Sequence, residues 1–135
     1  MSTEPSPVPD AMTTLTFTTD LSAVRAMVAS HARQAGLSTG RAIDLVLAVS
    51  EVAANTFRHA RSPGTLDIWH DADEIVCQIT DDGFISDPLV GTRRPAADAM
   101  GGHGLWLVNQ VCDRVDLRSD ETGTTIRLHM FLRTS

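Results

Sequence analysis

Glu51-Val52-Ala53-Ala54-Asn55-Thr56-Phe57-Arg58-His59-Ala60 is the stretch on which the reading of this chain turns. Glu51 and Asn55 stand one helical turn apart, so on a helix they share a face, and His59 extends the stripe by another turn. Asp44 and Ala48 continue it backwards, while Val49, Val52 and Ala53 lie off it. A carboxylate, a carboxamide and an imidazole in line suit a metal-phosphate site. An Asn carbonyl oxygen can bind Mg²⁺, and a Glu can orient or deprotonate a hydroxyl. An exposed polar stripe on an amphipathic helix is the commoner use of this pattern. The stretch alone does not separate the two.

Working outward, Ser38 or Thr39 is placed to cap this helix, which runs to about Ala60 with Ile43, Val46, Leu47, Val49, Ala53 and Phe57 on its buried side. Upstream, Asp20 is placed to cap a helix over Leu21 to Ala35, closed by Gly36. Its apolar positions Leu21, Val24, Met27 and Val28 recur at helical spacing. Leu15 and Phe17 alternate with threonines as a short first strand. Residues 1–12 carry three prolines among Ser, Thr and Glu and read as a disordered tail, leaving one domain over 13–135.

Downstream, Thr65–His70 and Ile75–Thr80 read as strands joined by an Asp71-Ala72-Asp73 turn. Phe84 to Gly102 shows little periodicity, and a loop this long inside a compact domain is commonly a lid. A third helix spans Leu105 to Cys112. Val115–Arg118 and Thr124–Phe131 are strands, the last with Ile126, Leu128 and Met130 inward and Arg127 and His129 wet. The order β-α-α-β-β-lid-α-β-β, with a hairpin at each end, predicts an α+β fold. It is a two-layer sandwich with a mixed, mostly antiparallel sheet and helices on one face.

Composition excludes several functions. All eleven basic residues are arginines, and no lysine is present. A Walker-A loop needs a lysine on the phosphates, and Schiff-base chemistry needs a lysine amine, so both are excluded. A net charge of −6 argues against direct nucleic-acid binding. No apolar run approaches a membrane span, the first ten residues do not resemble a signal peptide, and two cysteines fit a reducing compartment.

Three further elements carry chemical potential. Asp81-Asp82-Gly83 follows a β-branched strand; a carboxylate there can accept a hydrogen bond from an exocyclic amine, and a glycine lets backbone approach a planar ligand. Asp-Gly pairs also favour ordinary turns. Gly101-Gly102-His103-Gly104-Leu105 precedes an apolar helix, where backbone N–H groups at the positive end can take phosphate. Gly123-Thr124 enters the last strand, with a hydroxyl able to complete a base pocket. Each is weak by itself. His31, His70 and His129 lack partners at metal-ligand spacing, Cys77 reads as core, and Arg93-Arg94 reads as a solvated pair that could also meet a phosphate.

Together and in this order, the elements resemble the GHKL superfamily of ATP-binding domains, and within it the stand-alone anti-sigma-factor serine/threonine kinases. The N-box of that family, E-x-x-x-N-x-x-x-H-A, matches Glu51, Asn55, His59 and Ala60. Its D-x-G-x-G box matches Asp81 and Gly83, with Ile85 in place of the second glycine. Its G-x-G-L box matches Gly102, Gly104 and Leu105, and its final Gly-Thr matches Gly123 and Thr124. The resemblance covers about residues 13 to 131.

It implies ATP and Mg²⁺ as cofactors, with Asn55 on the metal and Glu51 as the catalytic residue at the attacking hydroxyl. Asp81 would hold adenine. His59, Gly83, Gly102, Gly104, Leu105 and Thr124 would complete the nucleotide site. It further implies a cytoplasmic protein that sequesters an RNA polymerase sigma factor, phosphorylates a STAS-type anti-sigma-factor antagonist and forms a homodimer. Ile85 in the lid hinge supports the alternative, a partner-switch module that keeps the fold and lacks turnover.

Overall fold

The computed structural model describes residues 12–18, 20–59, 62–83 and 103–132. Along them run β1 (Thr13–Phe17), α1 (Ser22–Ala35), α2 (Thr39–His59), β2 (Gly64–His70), β3 (Glu74–Asp81), α3 (His103–Val111), β4 (Arg114–Asp120) and β5 (Gly123–Phe131). The order is the one read from sequence. Residues 1–11 of the predicted tail and residues 84–102 of the predicted lid, with Ile85, Arg93, Arg94 and Gly102, lie outside the described residues.

Local chemistry sets the helix ends. Leu21 occupies the cap position of α1 and makes no side-chain cap bond. Asp20 stands one residue earlier, and its Oδ1 accepts the Ser22 N–H at 2.9 Å, satisfying one orphan donor of the first turn. Ser38 does the same for α2, its Oγ accepting the Arg41 N–H at 3.3 Å. Gly36 closes α1 in a left-handed conformation (φ 93°). Its N–H and that of Leu37 both return to the Ala32 carbonyl.

The strands form one five-stranded sheet in the order β1-β2-β3-β5-β4. Among the described residues every pairing is antiparallel. Asp71 builds the β2–β3 turn, with its Oδ1 accepting the N–H groups of Asp73 and Glu74. The register places Leu15, Leu66, Ile79, Ile126 and Leu117 in one row across all five strands. A second row on that face runs through Ile68, Cys77, Leu128 and Val115. Against these rows pack Val24, Val28 and Ala32 of α1, Leu45, Val49, Val52 and Ala53 of α2, and Leu105 and Val108 of α3, in a single buried cluster. All three helices therefore cover the same face, giving the two-layer sandwich.

Two expectations change. The buried side of α2 is Leu45, Ala48, Val49, Val52, Ala53 and Thr56, whereas Ile43 is 62% exposed and Leu47 41% exposed. Helical periodicity offers two adjacent apolar stripes, and packing selects the one whose alanines allow close approach to the sheet. Ala48 thus belongs to the core and not to the polar stripe. Arg127, read as wet, is only 5% exposed. Its guanidinium lies over the Trp69 ring at 5.2 Å and donates to Gln78 Oε1 at 3.0 and 2.7 Å. A long planar cation can lie flat across neighbouring strands, so alternation along β5 does not reveal its burial. His129 beside it sits between Glu74 and Asp116. Among the described residues no helix is long and apolar enough to cross a membrane.

Candidate functional site

Three of the predicted residues, Asp81, Gly83 and Thr124, meet at the end of β3. Asp81 is paired in register with Thr124 of β5, so the two motifs that sequence separates stand directly opposite. The Asp81 carboxylate is held from two sides. Its Oδ1 accepts the Gly83 N–H at 2.7 Å, and its Oδ2 accepts the Thr56 hydroxyl of α2 at 2.9 Å. Each oxygen keeps lone-pair capacity for a further donor. Thr124 donates its hydroxyl to the Gly83 carbonyl at 2.8 Å. That hydroxyl has one hydrogen, so the 2.7 Å contact with Ser119 is one in which Ser119 donates. Thr124, 4% exposed, thus acts on the site through the Gly83 backbone.

Gly123 makes this closeness feasible. A Cβ built on it would stand 2.3 Å from the Asp81 carbonyl oxygen, and its φ is 149°. Only glycine fits where the strands come this near. Ser62 adds a tie from the α2–β2 connection, its hydroxyl donating to Asp82 Oδ2 at 2.9 Å. The site is therefore drawn from α2, β3 and β5, braced by β4 through Ser119.

Glu51 and Asn55 are half-buried on α2, one turn apart. His59 is the last residue of that helix. Glu51 also borders a groove of about 510 Å³ between α1 and α2. The groove is lined by apolar side chains including Ile43, Val46 and Leu47, with Arg25 and Arg33 beside them. None of the described residues lining this groove belongs to the Asp81 cluster, so the two are distinct.

Residues 16–130 match the histidine kinase-like ATPase domain family. This chain belongs to the histidine kinase-like ATPase family. The chain is also similar to the serine-protein kinase RsbW of Halalkalibacterium halodurans, at 29% identity over 125 residues covering 82% of this chain and 75% of that protein. The GHKL resemblance read from the motifs is thereby borne out.

Within this histidine kinase-like ATPase, the structure brings Asp81, Gly83 and Thr124 into one hydrogen-bonded cluster. It places Glu51, Asn55 and His59 on α2, the helix that reaches that cluster through Thr56. Leu105 is buried in the core at 6% exposure. Gly104 lies inside the first turn of α3, which begins at His103 and not after the glycine. Its N–H is among the orphan donors of that turn, and no acidic residue occupies the turn. Gly102 lies outside the described residues. Sequence reasoning missed Thr56 and Ser119. For Thr56 a signal existed, a hydroxyl on the apolar stripe of Val49, Val52 and Ala53. For Ser119 none did, because its role comes from strand register alone.

Proposed function

We propose that this protein is an ATP-binding protein kinase that acts on a serine or threonine of an anti-sigma-factor antagonist and sequesters an RNA polymerase sigma factor. The observation that carries the reading is the braced Asp81 carboxylate, opposite Thr124 and joined to α2 through Thr56. The residues fit a nucleotide. A half-buried carboxylate with lone pairs to spare meets an exocyclic amine, and the first turn of α3 offers backbone donors free of acidic neighbours.

In this reading Asp81 accepts the hydrogen bond from the adenine amine. Thr124 keeps Gly83 in place so that its backbone can lie against the base. Gly104 presents its N–H to phosphate at the positive end of α3, and the motif resemblance assigns Gly102 to the same task. Asn55 offers its side-chain oxygen to Mg²⁺, whose charge offsets that of the phosphates when bound. His59 completes the α2 stripe. Glu51 accepts the proton of the attacking hydroxyl or orients it; its half-buried side chain borders the α1–α2 groove. Similarity to a serine-protein kinase supports the acceptor class. The resemblance of the motifs to anti-sigma-factor kinases supports the two partners, a homodimer, a cytoplasmic location and a single domain over residues 13–135. A binding module without turnover is the competing reading, favoured by Ile85 at the hinge position.

The test is calorimetry with ATP, with and without Mg²⁺, followed by phosphate transfer to antagonist proteins. Asp81→Asn should weaken ATP binding by about tenfold to a hundredfold, and Glu51→Gln should leave binding near wild type while abolishing transfer. Binding without transfer in the wild type selects the module. Loss of binding in Glu51→Gln but not in Asp81→Asn reverses the role assignment.

A further inference from the structure

The geometry points to Thr56 as the positioning residue that makes Asp81 selective for a 6-aminopurine, so that ATP is taken in preference to ITP. This inference rests on the nucleotide reading of Asp81 given above. An aspartate at the end of a strand can turn about its side-chain torsions. The bond from the Gly83 N–H to Oδ1 is made within its own turn and holds one oxygen only. The second oxygen is held by the Thr56 hydroxyl, which comes from α2, a different layer of the fold.

Thr56 is well suited to this task. It is 3% exposed, so water does not compete for its hydroxyl. That hydroxyl has one hydrogen and two acceptors in reach, the Asp81 Oδ2 at 2.9 Å and the Val52 carbonyl at 3.5 Å. The shorter, charge-assisted bond wins. The carboxylate is thereby fixed with its remaining lone pairs in set directions.

Fixed acceptors discriminate between donors and acceptors on a ligand. The 6-amino group of adenine donates to Asp81. The 6-oxo group of hypoxanthine would set a lone pair against the same oxygen and leave a polar group unpaired. Discrimination persists only while the carboxylate cannot swing aside. Without the Thr56 hydroxyl, the carboxylate can turn away from an oxo group, and the aligned bond to an amine is lost.

The experiment measures ATP and ITP affinities and apo melting temperatures for the wild type, Thr56→Val and Thr56→Ser. The expected result is a wild-type preference for ATP. Thr56→Val should lose about tenfold in ATP affinity with little change for ITP, so the ratio collapses, while Thr56→Ser keeps it. If Thr56→Val weakens both nucleotides equally, or neither, Thr56 is merely structural and the inference is overturned. A serine variant that behaves like valine overturns it as well. Should valine prevent folding, Thr56→Ala removes the hydroxyl without added bulk and is read in the same way. A wild type that binds no ATP, or binds ATP and ITP alike, removes the Asp81 reading itself. That outcome is distinct from failure of the Thr56 inference alone.

Discussion

Gly123→Ala is the sharpest structural test of how β3 and β5 build the site. The added Cβ would lie 2.3 Å from the Asp81 carbonyl oxygen and 3.3 Å from Asp82 Cα. Ordinary contact needs roughly 3.5 Å, so the strands must part by about an ångström. Backbone is the obstacle on both sides, so no flexible side chain can give way. The φ of 149° adds strain for any residue with a side chain. Overpacking of this kind costs about 1 to 3 kcal/mol, and the backbone conformation adds about 1 kcal/mol or more. The sum, about 2 to 4 kcal/mol, should lower the melting temperature of a domain this size by roughly 6 to 15 °C. Urea unfolding followed by circular dichroism measures it. Gly40→Ala is the control, because nothing lies within 4 Å of its Cβ and it sits in the first turn of α2. That change should leave stability unchanged or raise it by up to about 1 kcal/mol. A Gly123→Ala loss below about 0.5 kcal/mol would refute the close-approach argument. The separation of strands should also disturb the Thr124–Gly83 bond and weaken nucleotide binding in parallel.

Two further tests address the rest of the fold. Leu45→Ala should cost about 2 to 5 kcal/mol, since Leu45 is fully buried. Ile43→Ser on the same helix should stay within about 0.5 kcal/mol, since Ile43 is 62% exposed; comparable losses would put the buried face of α2 elsewhere. His31 has its pKa lowered from 6.5, first by burial and then by the facing His70. Its ring favours the neutral form when folded, so the unfolded chain binds the proton more readily. Stability is full above about pH 6.5 and falls as pH drops below it. The melting temperature of the wild type relative to that of His31→Phe should fall from pH 7.5 through 6.5 to 5.5; a constant or rising difference would sink this assignment.

Element order was legible because the cues are local. Asp20, Gly36, Ser38 and Asp71 act on backbone within a few residues of themselves, and each stands near its predicted place. The inner face of β5 was legible for the same reason, since Ile126, Leu128 and Met130 alternate. The buried side of α2 was not. Ile43 and Leu47 are as apolar as Leu45 and Val49, and only the partner surface decides which pair is covered. Arg127 shows the same limit, its burial depending on Trp69 and Gln78 from neighbouring strands.

By itself the sequence determined the motif residues, their order, the helical spacing of Glu51, Asn55 and His59, and the exclusion of lysine-dependent chemistry. Those properties are carried by residue type and by spacing along one chain. Tertiary structure alone decided that Asp81 faces Thr124, that Thr56 and Gly83 divide the two Asp81 oxygens, and that Ser119 braces Thr124. The reason is that β5, the last of the described strands, enters the sheet between β3 and β4. Strand insertion of this kind joins residues far apart in sequence through backbone pairing, and no local pattern encodes which hydroxyl will meet which carboxylate.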